Sequence, residues 1–198
     1  MLEGGTLAKA LILNGARDAR DFTSEVCGVI TSVLEDGGWE TDCYTLRQIK
    51  IADCSGCGSC AFKTPGLCVL PDAANEVMSK QARSDLFVLL TPLTFGGYSS
   101  QLKKVLDRTM GMCIPIYHFH HGELHHVPRY PRSARLLGIG VAPAHDEAGA
   151  RVFDLLVERT ALNYHSPAFA SQVLTEGQGA YHLRDAVQAL ISQLEAGR

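Results

Sequence analysis

Short apolar runs alternate with amphipathic stretches along the chain. Five runs are rich in strand-forming residues: 7–14, 39–46, 85–91, 134–141 and 169–174. Apolar residues recur at helical spacing in most of the intervening stretches and after the last run, most clearly at Leu183, Val187 and Leu190. Parallel strands need crossover connections, so this alternation predicts an α/β fold with a five-stranded parallel sheet between two helical layers.

Three loops follow predicted strands and are candidates for the functional site. They span Asn14–Phe22, Pro92–Ser100 and Ala142–Asp146. Ligands of open parallel sheets bind at the carboxyl ends of the strands, where the strand order reverses. We therefore expect these loops to meet around one ligand.

Composition narrows the class of protein. The 198 residues predict a single domain over residues 1–198, and a net charge of −3 gives no electrostatic reason to expect nucleic acid or an anionic membrane as a partner. No apolar stretch approaches the roughly 20 residues that span a bilayer. Residues 1–9 lack the basic start of a signal peptide. Seven cysteines, an odd number, fit a reduced cytoplasmic protein better than a disulfide framework.

Four cysteines are crowded into a loop over residues 54–68: Cys54, Cys57, Cys60 and Cys68, with the spacing C-x2-C-x2-C-x7-C. Glycines inside the motif allow the tight curvature that would bring the thiols together. This triple-plus-one pattern favours a [4Fe–4S] cluster. Zinc, and structural or redox thiols without metal, remain alternatives. Cys27 and Cys43, outside the loop, are expected to be small buried hydrophobes.

The first loop has the character of an anion site. It opens into a helix that begins near Thr23 and Ser24, whose hydroxyls can donate to a phosphate, while Arg17 can pair with it. The alternative is that Asp21 or Thr23 only caps the helix. The chain has no Walker lysine pattern and no G-x-G-x-x-G after the first strand, which argues against nucleotide hydrolysis and dinucleotide binding. Gly138 and Gly140 lie inside a predicted strand and indicate close packing.

The second loop offers a place for a flat ring. Phe95 and Tyr98 present planar faces, and Gly96 and Gly97 let backbone amides approach a ligand closely. A flavin needs an apolar wall and N–H donors for its polar edge. A glycine-rich turn with core aromatic residues is the alternative.

These features together resemble the NADPH-dependent FMN reductase family, and within it the iron–sulfur flavoproteins. The resemblance rests on the first-strand loop, the four cysteines and the segment Thr91–Arg108 (TPLTFGGYSSQLKKVLDR). It implies a flavodoxin-like three-layer α/β/α sandwich with strand order 2-1-3-4-5, non-covalent FMN, and a homodimer or homotetramer.

The resemblance also implies which residues hold FMN. The phosphate would lie against Asn14, Gly15, Ala16, Arg17, Phe22, Thr23 and Ser24. The isoalloxazine would lie against Pro92, Leu93, Thr94, Phe95, Gly96 and Gly97, with Ala142 and His145 at its border. The family often has Gly-Ser-Pro-Arg where this chain has Asn14-Gly15-Ala16-Arg17, so phosphate contacts must come from the backbone and from Thr23 or Ser24.

A histidine-rich insertion spans residues 113–130. It holds five of the eight histidines: His118, His120, His121, His125 and His126. Gly122-Glu123 predicts a hairpin turn, and strand alternation places His118 and His120 on one face and His121 on the other. We expect an ordered insertion that packs on a neighbouring subunit or covers the flavin; a second metal site is the alternative.

The sequence thus predicts an FMN-dependent oxidoreductase that passes electrons from NAD(P)H or a redox carrier to a small molecule or protein. The cofactor performs this chemistry, so no catalytic side chain is assigned. The alternative is a metal- or redox-responsive binding protein built on a flavodoxin-like scaffold.

Overall fold

The computed structural model describes residues 7–19 and 21–196. Its strands are β1 (Lys9–Asn14), β2 (Glu40–Thr45), β3 (Leu86–Pro92), β4 (Cys113–His120), β5 (Glu123–Pro128), β6 (Arg135–Ala142) and β7 (Phe169–Thr175). Its helices are α1 (Phe22–Asp36), α2 (Ser59–Phe62), α3 (Ala74–Gln81), α4 (Ser100–Asp107), α5 (Glu147–Asn163) and α6 (Ala180–Ala196). Arg20 of the first loop and both ends of the expected 1–198 domain lie outside the described residues.

Five strands form one parallel sheet in the order β2-β1-β3-β6-β7. The strands β4 and β5 pair only with each other, so the sheet has the predicted order 2-1-3-4-5 once this hairpin is left out of the numbering. The flavodoxin-like α/β fold is therefore confirmed. The order reverses between β1 and β3, which places a crevice above their carboxyl ends.

Each face of the sheet is buried under helices. The helices α1 and α6 cover one face, where Ile30 and Val187 belong to the same buried cluster as Ile12 of β1. The helices α3, α4 and α5 cover the other face, where Phe153 packs in the same cluster as Leu11. All five side chains are fully buried. Each such side chain contributes about 1.5–3 kcal/mol by leaving water, so the two cores hold the loops on a rigid frame.

Glycine sets the distance between α5 and the sheet. A Cβ atom on Gly138 of β6 would lie 2.4 Å from a methyl carbon of Val157, and one on Gly140 would lie 2.9 Å from Leu93. Both distances are too short for a real side chain. The expectation that these glycines serve packing agrees with this geometry.

The insertion over residues 113–130 folds mainly as the antiparallel hairpin β4–β5, in which His118 faces His125. The turn lies at His121-Gly122, with φ values of 50° and 80°, and not at Gly122-Glu123 as predicted. Both residues need the left-handed conformation that suits a tight hairpin. His121 therefore belongs to the turn and not to a strand face.

Within the described part of the chain, no helix is both long enough and apolar enough to cross a bilayer.

Candidate functional site

A cavity of about 700 Å³ opens at the carboxyl ends of the sheet strands. We call it the edge cavity. Its lining residues are Arg17, Asp18, Ala19, Asp21, Phe22, Pro92, Leu93, Val141, Pro143 and Glu176. The loops after β1, β3, β6 and β7 all contribute. The cavity therefore lies where the strand order predicted a ligand, and it is large enough for a cofactor.

The first loop is held rigidly where it leaves β1. The buried Asn14 side chain accepts a hydrogen bond from the Ala16 amide at 2.9 Å, and the Gly15 amide donates to the Leu90 carbonyl at 2.8 Å. The Ser99 hydroxyl donates to the Gly15 carbonyl at 3.0 Å. A Cβ on Gly15 would lie 2.7 Å from that hydroxyl oxygen, so only glycine fits. The conformation of the first loop is thus fixed by Asn14, Gly15 and Ala16, and none of them lines the edge cavity.

Asp21 caps α1. Its carboxylate accepts from the Thr23 amide at 2.9 Å, from the Thr23 hydroxyl at 2.6 Å and from the Arg17 amide at 3.1 Å. Burial opposes ionisation, but these hydrogen bonds prevail and hold the pKa of Asp21 below its usual range. The capping alternative is thus correct for Asp21, and the Thr23 hydroxyl is already engaged.

Ser24 keeps an unused hydroxyl in the same turn of α1. Its oxygen is buried and has no hydrogen-bond partner in the structure. Buried polar atoms almost always have hydrogen-bond partners. A buried hydroxyl without a partner at the start of a helix therefore indicates that it donates to a ligand. This observation fits an anionic group bound beside the first loop.

The second loop is a tight turn that carries the cavity wall. The Thr94 amide donates to the Gly97 carbonyl at 3.1 Å, and the Gly97 amide donates to the Thr94 carbonyl at 2.9 Å. Pro92 and Leu93 line the cavity, and the Thr94 hydroxyl accepts from the Arg17 guanidinium, which ties the first two loops together.

The two aromatic residues of that loop lie in different surroundings, and neither lines the edge cavity. Phe95 has a φ of 51° and a fully exposed side chain that does not line the cavity. Tyr98 packs edge-on against Phe153 and shares a 2.9 Å hydrogen bond with Thr160. Gly96 is needed where it stands, because a Cβ there would lie 2.8 Å from Val152.

The third loop contributes less than predicted, and a fourth loop contributes more. Ala142 is buried and acts through its backbone, because its carbonyl accepts from the Glu176 amide at 3.0 Å. His145 is exposed and does not line the cavity. Glu176, which follows β7, and Val141 of β6 do line it and fall outside the three predicted loops. Asp18, Ala19 and Pro143 also line it and lie inside the predicted loops, although they were not singled out there. Parallel strands end at one edge, and that rule alone would have pointed to the loop after β7.

The edge cavity combines an apolar wall with a polar rim. Phe22, Pro92, Leu93 and Val141 supply apolar surface, and Arg17 supplies a positive charge. The carboxylates of Asp18, Asp21 and Glu176 also border it. A flat apolar ring with an anionic tail near Arg17 and Ser24 fits this arrangement.

The cysteine loop is closed at its base by a buried ion pair. Arg108 donates to both oxygens of Asp72 at 2.9 Å and to the Ala52 carbonyl at 2.8 Å. The two side chains are only 1% and 9% exposed. Asp72 also accepts from the Ala52 amide at 2.9 Å. The residues on either side of the four cysteines are thereby fastened to each other.

The four thiols share one electrostatic environment but are not gathered around a point. Cys54 and Cys57 are exposed, whereas Cys60 and Cys68 are half-buried. Burial raises the pKa of the Cys60 thiol, and negative charge on the other three cysteines raises it further. A hydrogen bond with Ser59 lowers the pKa of Cys57 to about 7. Across residues 7–19 and 21–196, no group of three or more His, Cys, Asp or Glu side chains is arranged to hold a metal ion.

The hairpin lies apart from the edge cavity. It helps to line a second cavity of about 450 Å³ with Tyr98, Tyr164 and His165. His118, His120 and His125 approach His165, with ring centroids 5.0, 4.1 and 6.1 Å apart. No residue of the hairpin lines the edge cavity, so within one chain the insertion does not cover the expected flavin site.

The prediction that Cys27 and Cys43 are both buried was wrong for one of them. Cys27 of α1 is buried, but Cys43 of β2 is exposed, and their sulfur atoms are 3.2 Å apart. β2 is an edge strand, so its side chains are only partly covered.

Several solved structures have similar folds. The NAD(P)H:quinone oxidoreductase of Methanothermobacter marburgensis superposes with a TM-score of 0.64 at 16% identity, covering 98% of both chains. An FMN-dependent NADH-azoreductase of Bacillus anthracis, solved with FMN, gives 0.59 at 13% identity, covering 96% of this chain and 98% of the other. At these identities the likeness establishes the fold.

Sequence comparison gives closer relatives. An iron–sulfur flavoprotein of Archaeoglobus fulgidus is 31% identical over 105 residues, or 53% of each chain, and one of Methanosarcina thermophila is 29% identical over 86 residues, or 43% of this chain and 44% of the relative. The chain thus matches only about half the length of these relatives. The family model for NADPH-dependent FMN reductases matches residues 8–127. This match spans more than half of the chain, and the protein therefore belongs to the NADPH-dependent FMN reductase family.

Proposed function

We propose that the protein is an FMN-dependent oxidoreductase that accepts electrons from NAD(P)H or a redox carrier. The edge cavity is the observation that carries this proposal, because it joins an anion-binding helix start to an apolar wall at the carboxyl edge of the sheet. Family membership supports FMN as the occupant. Bound FMN would supply the electron transfer itself, and the chain would supply binding and orientation.

In this proposal the first loop holds the phosphate. The backbone from Asn14 to Ser24 fixes the loop, the Ser24 hydroxyl donates to a phosphate oxygen, and the Arg17 guanidinium pairs with its charge. The ring lies along Pro92–Gly97, with Ala142 and His145 towards its border. Asp21 keeps α1 capped and so fixes the first turn of the helix, which carries Ser24.

FMN binding is tested by titrating the apoprotein with FMN and following flavin fluorescence. Ser24→Ala removes one hydrogen bond to a charged group, which is worth about 1.5–3 kcal/mol, so binding should weaken by about tenfold or more. Ser32→Ala is the matched control, because Ser32 lies exposed on the same helix. Equal affinities for the two variants would contradict the phosphate assignment, and no flavin binding by the parent protein would overturn the proposed function.

Direct reduction by a pyridine nucleotide is a separate test. NADPH added anaerobically to the FMN-loaded protein should bleach the flavin absorbance. Failure of both NADPH and NADH, with reduction by a chemical donor intact, would show that a redox carrier supplies the electrons.

We further propose that Cys54, Cys57, Cys60 and Cys68 hold a [4Fe–4S] cluster. The four thiol donors and their spacing suit such a cluster, and the relatives carry the name iron–sulfur flavoprotein. Cys54 and Cys57 are exposed, and Gly56 and Gly58 have positive φ values. Because the thiols are not arranged around one point in the described part of the chain, the loop has to bring them together when the cluster is bound.

Iron and acid-labile sulfide in anaerobically purified protein test the cluster. Cys57→Ser should lose both, whereas Cys113→Ser, which changes a cysteine outside the motif, should keep both. Zinc without sulfide would show that the four cysteines form a zinc site and not a cluster. The absence of any metal would show that they are free thiols.

A homo-oligomer is also proposed, on the strength of exposed apolar side chains. Phe62 and Leu67 of the cysteine loop and Ile116, Phe119 and Leu124 of the hairpin are all more than half exposed. Helix α2 contacts β4, and exposed apolar side chains on adjacent elements are typical of a subunit interface. Light scattering of the holoprotein should give the mass of a dimer or tetramer.

The alternative function, a metal- or redox-responsive binding protein, is favoured by one observation. The ring centroids of His118, His120 and His125 lie 4.1–6.1 Å from that of His165. Bound transition metal in a protein that takes up no flavin would favour this alternative over the oxidoreductase.

A further inference from the structure

Cys27 and Cys43 form a thiol pair outside the four-cysteine motif. Cys27 lies in the middle of α1 and Cys43 in the edge strand β2, with their Sγ atoms 3.2 Å apart. A disulfide requires about 2 Å between the sulfurs, so a small side-chain movement suffices to form the bond. The exposed edge strand leaves room for that movement.

The two thiols differ in access and in acidity. Cys27 is 7% exposed, while Cys43 is open to solvent. A hydrogen bond from Cys43 lowers the pKa of Cys27, and the Asn14 and Thr31 side chains lower it further, against the effect of burial. The same hydrogen bond with Cys27 raises the pKa of Cys43. A reagent from solution can therefore reach Cys43, and Cys27 is the thiol that more readily becomes a thiolate beside it.

We propose that Cys27 and Cys43 are a reversible disulfide modification site, at which Cys43 reacts first with a low-molecular-weight disulfide and Cys27 completes the bond. An accessible cysteine next to a second cysteine that completes the disulfide is typical of redox-sensing pairs. Reversibility suits a protein otherwise rich in reduced cysteines.

The reaction is two successive thiol–disulfide exchanges. The Cys43 sulfur, having given up its proton, attacks one sulfur of the reagent RS–SR; the S–S bond breaks and RS⁻ leaves and takes up a proton. The Cys27 thiolate then attacks the Cys43 sulfur, which forms the Cys27–Cys43 bond and expels the second RS⁻, which also takes up a proton. The protein loses two hydrogens and two electrons are passed to RS–SR, giving two RSH.

The product would tie α1 to β2. These elements are already joined by a short turn in which the Trp39 amide donates to the Leu34 carbonyl at 3.0 Å. A covalent bond across them restricts the unfolded chain, so the oxidised protein should unfold at a higher urea concentration than the reduced protein.

The test is to incubate the folded protein with oxidised glutathione, block free thiols with N-ethylmaleimide and map the peptides. Trypsin releases residues 21–47 as one peptide, whose only cysteines are Cys27 and Cys43, so the other five cannot confuse the result. We expect this peptide to lose two hydrogens and to take up no maleimide. Further cleavage after Glu35 or Glu40 should leave the two parts joined until a reductant is added.

Two variants provide the controls. In Cys43→Ser, Cys27 should remain a buried free thiol under the same conditions. In Cys27→Ala, Cys43 should stop at the mixed disulfide with glutathione and go no further. Unlinked thiols in the folded parent protein, a stable mixed disulfide on Cys43 with Cys27 present, or linkage that appears only after unfolding in urea would each overturn the proposal.

Discussion

The Arg108–Asp72 ion pair should be the most sensitive polar interaction of the cysteine loop. Arg108→Met removes three hydrogen bonds of 2.8–2.9 Å and leaves the Asp72 carboxylate buried. Two backbone amides, of Ala52 and Ala74, still donate to that carboxylate. Breaking a buried pair costs about 3–5 kcal/mol, and these remaining donors place Arg108→Met near the lower end of that range.

Asp72→Asn should cost more, near the upper end. It leaves a guanidinium that is 1% exposed without a counter-charge, and the Nε atom of Arg108 already lacks a partner. Combining the two changes should destabilise the protein by less than the sum of the single effects, because neither charge is then left alone.

Urea unfolding of the apoprotein gives these free energies by linear extrapolation. Lys103→Met is the matched control, since it breaks an exposed ion pair with Asp107 on α4 and should cost about 0.5 kcal/mol or less. If Arg108→Met and Asp72→Asn cost no more than Lys103→Met, the ion pair does not hold the loop and this reasoning is refuted.

Three further changes test the first loop and α1. Gly15→Ala should weaken FMN binding by about tenfold or more, since its Cβ would displace the Ser99 hydroxyl 2.7 Å away, and a flavin titration will show this. Gly28→Ala, at a helical position with no atom within 4 Å of the new Cβ, should instead stabilise the protein by about 1 kcal/mol in urea unfolding without changing FMN affinity. The pKa of Asp21 is lower in the folded protein than in the unfolded chain, where it is about 4, so its ionisation stabilises the fold above about pH 4. This stabilisation is lost as the pH falls towards the lower folded pKa. Asp21→Asn keeps the cap but cannot ionise, so its free energy of unfolding should depend less on pH in this acid range.

The sheet could be predicted from the sequence because its signals are local. The run 85–91 became β3 (Leu86–Pro92), buried throughout, and the glycines of β6 did indicate close packing. Strand order followed from the resemblance, and the parallel sheet from the alternation of runs. The hairpin turn was predicted one residue too late. The turn needs two residues with positive φ, His121 and Gly122, but only the glycine signals this conformation in the sequence.

Side-chain directions in the loops could not be predicted in the same way. Phe95 and Tyr98 were both candidates for the ring, yet one points into solvent and the other packs on Phe153, since the Thr94–Gly97 turn decides where each points. Glu176 lies distant in sequence from the other cavity residues, and only the sheet brings it to them. The contact between Cys27 and Cys43 likewise depends on how α1 packs beside an edge strand.

The closed base of the cysteine loop has a consequence for how related proteins can differ. The Ala73 amide donates to the Lys50 carbonyl and Asp72 accepts from Ala52, so the chain leaves the body of the protein and returns to it at one place. Residues 53–71 supply no strand to the parallel sheet and none of the residues that line the edge cavity. A short turn between positions 52 and 72 would preserve the sheet and its cofactor crevice. A single insertion or deletion at this place would therefore add or remove the thiol-bearing segment and leave the sheet and the edge cavity intact.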